Sequence, residues 1–238
     1  MDMKGRILHL LILICIAFSI INCKKETPTK NSKPKAVEKI EQVQPKEVEI
    51  VAPKPWDSIT HDNAIDFLIA YGKEHKENKL RVKTRLGDMI VQLYDDTPLH
   101  RASFLFLVNA GYFNTTCFHR VVPGFIVQGG NSENNSTLKI KNKYENYTIP
   151  PEFRKNHQHK FGALAAAREW ENNISKKSNP FEFYFIQAKN GAHHIDGEHT
   201  VFGEVISGFN VLNKIAKQKT GRDEWPLEDV FTEIEVIE

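Results

Sequence analysis

Phe118-His119-Arg120-Val121-Val122-Pro123-Gly124-Phe125-Ile126-Val127-Gln128-Gly129-Gly130 is the stretch on which the reading of this chain turns. Taken from Cys117, it is apolar and β-like, and Pro123-Gly124 breaks it, which predicts two short strands joined by a turn. Upstream, LRVKTRLGDMIVQLY from Leu80 predicts two more strands around a hairpin turn at Gly87-Asp88. Thr97 at the N-cap and Pro98 at the first helical position then start a helix. Its apolar stripe runs through LHRASFLFLVNA to a stop at Gly111. Downstream, residues 131–160 are polar, carry the pair Pro150-Pro151, and predict a long surface excursion. FGALAAA, FEFYFIQ and TVFGEVI predict short strands, and a helix follows from Gly208 through Lys217. VFTEIEVIE alternates apolar and acidic residues, as a half-buried last strand does. Many short strands and two helices, without regular β-α alternation, predict a mainly β fold. Periodicity leaves open whether it is an antiparallel barrel or a sandwich, with helices at its ends.

The chain has 238 residues, 40% apolar and 26% charged, which excludes a fully disordered chain and a polytopic membrane protein. A formal net charge of +2 gives no nucleic-acid signal, and no nucleic-acid partner is expected. The excess positive charge sits in the N-terminal quarter. Residues 1–22 predict a signal peptide: basic Lys4 and Arg6, then an apolar run from Ile7 to Ile21, shorter than the roughly 20 residues a spanning helix needs. The run closes with Ile20-Ile21-Asn22-Cys23, which resembles a bacterial lipoprotein lipobox and implies cleavage before Cys23 and lipid on its sulfur. An uncleaved signal anchor is the alternative. Residues 23–55 carry eight lysines, five glutamates and five prolines and no aromatic residue. Such a segment buries too little apolar surface to offset chain entropy and predicts a disordered tether. A Lys-rich stretch touching anionic lipid or a cell-wall polymer is the other reading. Residues 56–79 predict a helical extension, with a helix over 57–71 capped by Thr60 or Asp62. Its stripe is Ile65, Leu68 and Ile69, widened by Phe67, and Gly72 with the charged KEHKEN run ends it. The folded domain is 80–238. Of Cys15, Cys23 and Cys117, only Cys117 remains after such processing, so no intrachain disulfide is expected and Cys117 is a buried small residue.

The opening stretch resembles the signature of the cyclophilin family of peptidyl-prolyl isomerases. GDMIVQLYDDTPLHRASFLFLVNAGYF before it is similar to the family's first hairpin and first helix. Gly162 to Arg168, the Phe183-Tyr184 strand and Asp196 to Gly203 follow in the family's order. The resemblance covers residues 80–238 and implies an eight-stranded antiparallel β-barrel capped by two helices. It implies an enzyme without cofactor or metal, acting on X-Pro bonds. With the signal segment, the expected partners are proline-containing exported polypeptides, and the expected place is the cell envelope, lipid-anchored, as a monomer. Lys24 after the cysteine, rather than Asp, leans toward the outer membrane.

Elementary chemistry reads the same residues. The peptide bond resists rotation by about 18–20 kcal/mol because nitrogen shares its lone pair with the carbonyl. A fixed cation that hydrogen-bonds to the pyramidal nitrogen of the twisted imide binds that state better than either planar one. Arg120 is the candidate, since an arginine keeps its charge at any working pH. Gln128 is placed to donate to the substrate carbonyl and to orient Arg120. The proline ring needs an apolar, water-excluding pocket, for which Phe125, Ile126, Tyr184 and Ile195 are the candidates, with His199 at the rim. The resemblance adds backbone groups near Ala167 and Arg168 that hold the residue before proline. His119 is counted with the substrate-binding residues, as a hydrogen-bonded structural residue rather than an acid or base. Two departures stand out. Phe181-Glu182 replaces the usual Ser-Gln, and the Glu182 carboxylate is expected to pair with Arg120 or Arg168 and change the grip on peptide. His193-His194 and two extra residues stand where many members place a Trp. Two competing readings follow from the residues. His157, His159, His193, His194 and His199 invite a metal site, but their spacing completes no tetrahedral set. Glu182 and the altered loop also fit a non-catalytic chaperone or scaffold that binds proline segments.

Overall fold

A computed structural model describes residues 59–144 and 147–237. The signal segment, the lipid-attachment Cys23 and the tether lie outside the described residues. The described residues fall in one compact unit. Its elements run α1 (Ala64–Glu74), β1 (Lys79–Thr84), β2 (Gly87–Leu93), α2 (Pro98–Asn109), β3 (Arg120–Val122), β4 (Ile126–Gly129), α3 (Asn135–Lys143), β5 (Ala163–Ala166), β6 (Phe183–Ile186), β7 (Val201–Ser207), α4 (Phe209–Ile215) and β8 (Glu233–Val236).

The strands form one antiparallel eight-stranded sheet in the order β3-β4-β6-β5-β7-β2-β1-β8. The chain just before β3 joins its two ends. Cys117 bridges both Asn131 and Phe231, while Phe118 N–H donates to Val230 O and Thr232 N–H to Thr116 O, each at 3.0 Å. The sheet therefore curls round on itself, as expected of this barrel. Each strand turns alternate side chains inward. One cross-strand row, Val121-Val127-Phe185-Leu164, is buried in the main core with Leu80, Val82, Met89 and Val91. The adjacent row, Arg120-Gln128-Tyr184-Ala165, has the opposite phase and faces the outside of the sheet. There Ile126, Tyr184, Ile186, Ile195 and Val201 pack a second, smaller apolar cluster. The period of two thus delivers a cation, an amide and a phenol to one face.

Four α-helices are present among the described residues: the two expected on the barrel, the expected N-terminal one, and α3, which was not expected. The core-facing side chains of α2 and α4 are buried against the barrel. α3 lies within the expected surface excursion. α1 packs on α2, with Ile59, Ala64, Phe67, Leu68 and Tyr71 buried. That stripe is rotated from the expected one: Ile65 and Ile69 are 47% and 45% exposed. The heavier Phe67 and Tyr71 win the interior, where both rings pack edge-on to Phe106 of α2. Gly72 does not end α1. It lies within it where α2 comes close, and a Cβ there would sit 3.2 Å from that of Ala102. The helix starts later than expected, at Asn63, whose Oδ1 accepts Thr60 N–H at 2.7 Å.

Two further expectations change in detail. The first hairpin turns at Arg85-Leu86, because Thr84 pairs directly with Gly87 and Asp88 already lies in β2. Thr97 occupies the N-cap of α2, but its hydroxyl donates back to Tyr94 O. The cap comes from Glu152 instead, which accepts the N–H groups of Leu99 and His100 at 3.1 and 2.9 Å and His100 Nδ1 at 2.6 Å. A carboxylate at a helix N-terminus satisfies orphan donors and meets the positive end of the dipole.

Candidate functional site

A hollow of about 310 Å³ opens on the outer face of β3, β4, β5 and β6. Phe125, Ile126, Tyr184 and Ile195 supply its apolar walls, and Arg120, Gln128, Ala167, Arg168, Trp170 and His199 complete it. A larger hollow of about 600 Å³ is lined by Lys141, Tyr147, Thr148 and residues of the 169–181 segment. That one is more polar and holds neither Arg120 nor Gln128. The smaller one couples a dry floor to a cation, so it is the candidate site.

Arg120 Nε donates to Glu224 Oε2 at 2.6 Å. Gln128, directly across the strand pair from Arg120, instead turns its amide nitrogen to Glu182 Oε2 at 2.9 Å. His119 Nε2 stands 3.6 Å from that same oxygen. Burial pushes the Glu182 carboxyl up, but His119, Gln128 and Lys141 outweigh it and hold the group below the usual carboxylate range. An ionised carboxylate only accepts, so the Gln128 –NH₂ must face it. Gln128 keeps one N–H and its carbonyl oxygen for the cavity. Gly130 makes this approach possible: its φ is +99°, and a Cβ there would lie 2.0 Å from Phe181 O.

On the floor, Tyr184 Oη lies 3.2 Å from His159 Nε2, and His159 Nδ1 lies 2.7 Å from Asp196 Oδ1. Burial lowers the His159 pKa against the pull of Asp196, and burial raises that of Tyr184 far above its ordinary value. Both groups are therefore neutral: Tyr184 donates to Nε2, and Nδ1–H donates to Asp196. This chain pins a wall of the cavity to the loop that bears Ile195. At the rim, His199 Nδ1 donates to Ala166 O at 3.1 Å. Burial first, then Arg168 and His159, push the His199 pKa down to about 4, against the Ala166 carbonyl and Glu198. Arg168 is fixed by Glu198, through Nη2–Oε2 and Nε to the backbone oxygen, both 2.8 Å, and Lys176 Nζ holds the other carboxylate oxygen at 2.7 Å. The guanidinium lies 4.1 Å from the centre of the Trp170 ring. Across the mouth, the rings of Phe125 and His194 stack at 5.7 Å.

The family profile described as cyclophilin-type peptidyl-prolyl cis-trans isomerase/CLD matches residues 79–236. The chain belongs to the cyclophilin family of peptidyl-prolyl cis-trans isomerases. It is 33% identical over 150 residues to peptidyl-prolyl cis-trans isomerase CYP18-1 of Arabidopsis thaliana, covering 62% of this chain and 88% of that protein. It is 33% identical over 145 residues to a peptidyl-prolyl cis-trans isomerase of Acinetobacter baylyi, covering 59% of this chain and 73% of that protein. Its fold is similar to a cyclophilin of Cryptosporidium parvum crystallised in the presence of the dipeptide Ala-Pro. The TM-score is 0.57 at 23% identity, with 67% of this chain and 99% of that one covered. The protein is therefore a cyclophilin-type isomerase, of a family that binds proline-containing peptides.

In this cyclophilin, nine residues marked in the sequence meet at the hollow: Arg120, Phe125, Ile126, Gln128, Ala167, Arg168, Tyr184, Ile195 and His199. His119 and Glu182 do not line it; they sit behind Gln128. Glu182 pairs with neither arginine, because Arg120 is taken by Glu224 and Arg168 by Glu198. Cys117 is buried as expected, and burial followed by Asp229 and Glu133 push its thiol up to about 12. Of the histidines that suggested a metal, His159 and His193 share Asp196, His157 meets Asp96, His194 stacks on Phe125 and His199 bonds the Ala166 carbonyl. No group of three or more potential metal ligands occurs among the described residues. Sequence reasoning missed Trp170 and Glu224. An exposed Trp in a polar, aperiodic loop was a usable signal for the first. Nothing in the sequence links Glu224 to a residue 104 positions earlier.

Proposed function

We propose that this cyclophilin isomerises X-Pro bonds of exported polypeptides, with Arg120 stabilising the half-rotated imide. X-Pro bonds have nearly balanced isomers yet exchange over roughly 10–100 s unaided. What the enzyme must supply is tighter binding of the twisted state. The proline ring fits the apolar walls formed by Phe125, Ile126, Tyr184 and Ile195. Arg120, in register with Gln128 at the edge of that floor, presents donors to the nitrogen whose lone pair becomes free only in the twisted state. The observation that carries this reading is the placing of one held guanidinium beside a small apolar hollow. NMR exchange or a protease-coupled assay on an Ala-Pro peptide tests it. Arg120→Ala is expected to lower turnover roughly 100- to 1,000-fold, the usual cost of removing one such donor, while peptide affinity falls much less. Equal turnover of the two proteins, both near the uncatalysed rate, favours a proline-segment binder instead.

The place of action follows from the N-terminus. A lipid on Cys23, followed by a Lys/Pro/Glu-rich tether, would hold a monomeric isomerase at the cell envelope, within reach of chains that emerge unfolded. Cys23→Ser is expected to move the protein from the membrane to the soluble fraction. Retention in the membrane fraction overturns the anchor.

A further inference from the structure

An arginine side chain has four rotatable bonds and about 2 kcal/mol of rotamer entropy, so a catalytic guanidinium needs something to hold it. Gln128, expected to do this, is committed to Glu182. Among the described residues, Glu224 is the only side chain hydrogen-bonded to the Arg120 guanidinium, through Nε at 2.6 Å. The carboxylate is well placed to act as a rest. Glu224 O accepts the N–H of Val121, the next residue on β3, at 2.8 Å. The Glu224 backbone is in the left-handed region, φ 66°, which a glutamate seldom adopts. Around it the turn is tied twice, by Gly221 N–H to Trp225 O at 2.8 Å and Glu224 N–H to Gly221 O at 3.3 Å. Trp225 packs near the His119 ring, and its Nε1–H donates to Asp229 Oδ1 at 3.0 Å. The turn is thus fixed to the strand that carries the cation and to the residue before it.

From this geometry we infer that Glu224 is the positioning residue of Arg120. It takes the Nε–H edge of the guanidinium and leaves the two Nη groups for the imide. Both side chains are about two-fifths exposed, 39% and 43%. A pair so exposed contributes little to stability, so loss of the carboxylate leaves the fold intact. What the contact supplies is orientation, and small displacements of a catalytic group are costly. The role assigned to Glu224 rests on Arg120 being the catalytic cation, and the test separates the two.

In NMR, the Arg120 Nε–H resonance of the wild-type protein should be resolved and slow to exchange. It should be lost in Glu224→Ala and present in Glu224→Gln, which keeps an acceptor. In the Ala-Pro exchange assay, Glu224→Ala should lower kcat roughly tenfold or more with less than about a twofold change in peptide Kd. Glu224→Gln should recover most of that loss, and Glu224→Ala should add nothing in an Arg120→Ala background. Wild-type kcat in Glu224→Ala overturns the proposal, and so does an equal loss in Ala and Gln variants, which would mean the charge alone matters. If Arg120→Ala is itself as active as wild type, the isomerase mechanism fails, whereas the Nε–H signal still reports whether Glu224 holds the side chain.

Discussion

Trp170 reaches the cavity from a loop without regular structure, and its ring is 61% exposed. An indole left in water is costly unless something covers it or uses it. Here the Arg168 guanidinium covers one face at 4.1 Å and the His199 ring stands 5.3 Å away, edge-on. Arg168 is itself immobilised by Glu198. The indole is therefore a held wall at the cavity mouth, beside Ala167 and Arg168. Trp170→Ala is expected to weaken Ala-Pro peptide binding about three- to tenfold, on the order of 1 kcal/mol, with little effect on the turnover of bound peptide. Peptide titration should also change the tryptophan emission of the wild-type protein, and that change should vanish in the variant. Unaltered affinity together with an unaltered emission response would remove Trp170 from the site.

At the scale of elements, what could be read from the sequence was whatever short-range chemistry decides. The strands of the opening stretch fall where the break at Pro123-Gly124 puts them, because proline and glycine act on their own backbone. α2 begins at Pro98 for the same reason. Of the nine cavity residues, Arg120, Ile126, Gln128 and Tyr184 lie on paired strands, where a period of two carries every second side chain to one face, while Phe125, Ala167, Arg168, Ile195 and His199 lie off the strands and were legible through the family resemblance. Three of the misreadings share a cause, which is competition from partners far along the chain. Ile65 and Ile69 have the right spacing, yet α2 selects the face with the two aromatic rings. Thr97 is a good cap, yet Glu152 brings both carboxyl oxygens to the first N–H groups and displaces it. Glu182 was expected to choose between two arginines. Both were already held by closer carboxylates, one on the turn before β8 and one beside Asp196-Gly197. Spacing cannot show which of several carboxylates arrives first.

For the whole molecule, the polar groups under the cavity couple its integrity to pH. His199 titrates at its ordinary 6.5 when unfolded but at about 4 in the folded protein, and burial lowers His159 in the same direction. A depressed histidine means that the unfolded chain binds the proton more readily. Its contribution is therefore fully present above pH 6.5 and drains away as pH falls toward 4. For His199 this amounts to at most roughly 3 kcal/mol, a sizeable part of the stability of a domain this large. Asp196 and Glu182 act in a lower window. Their carboxyls are depressed despite burial, by His159 and His193 for the first and His119 and Gln128 for the second. Their share is present above the usual carboxylate range and is lost below it. The melting temperature of the protein should thus be flat from pH 8 to 7, decline between 6.5 and 4, and decline further in stronger acid. His199→Gln keeps a donor for the Ala166 carbonyl but cannot take up a proton, so its curve should be shallower between 6.5 and 4 and parallel to the parent above 7. If the two curves stay parallel through that window, His199 is not a source of the acid sensitivity, and the burial that would keep it neutral in the folded protein is not there.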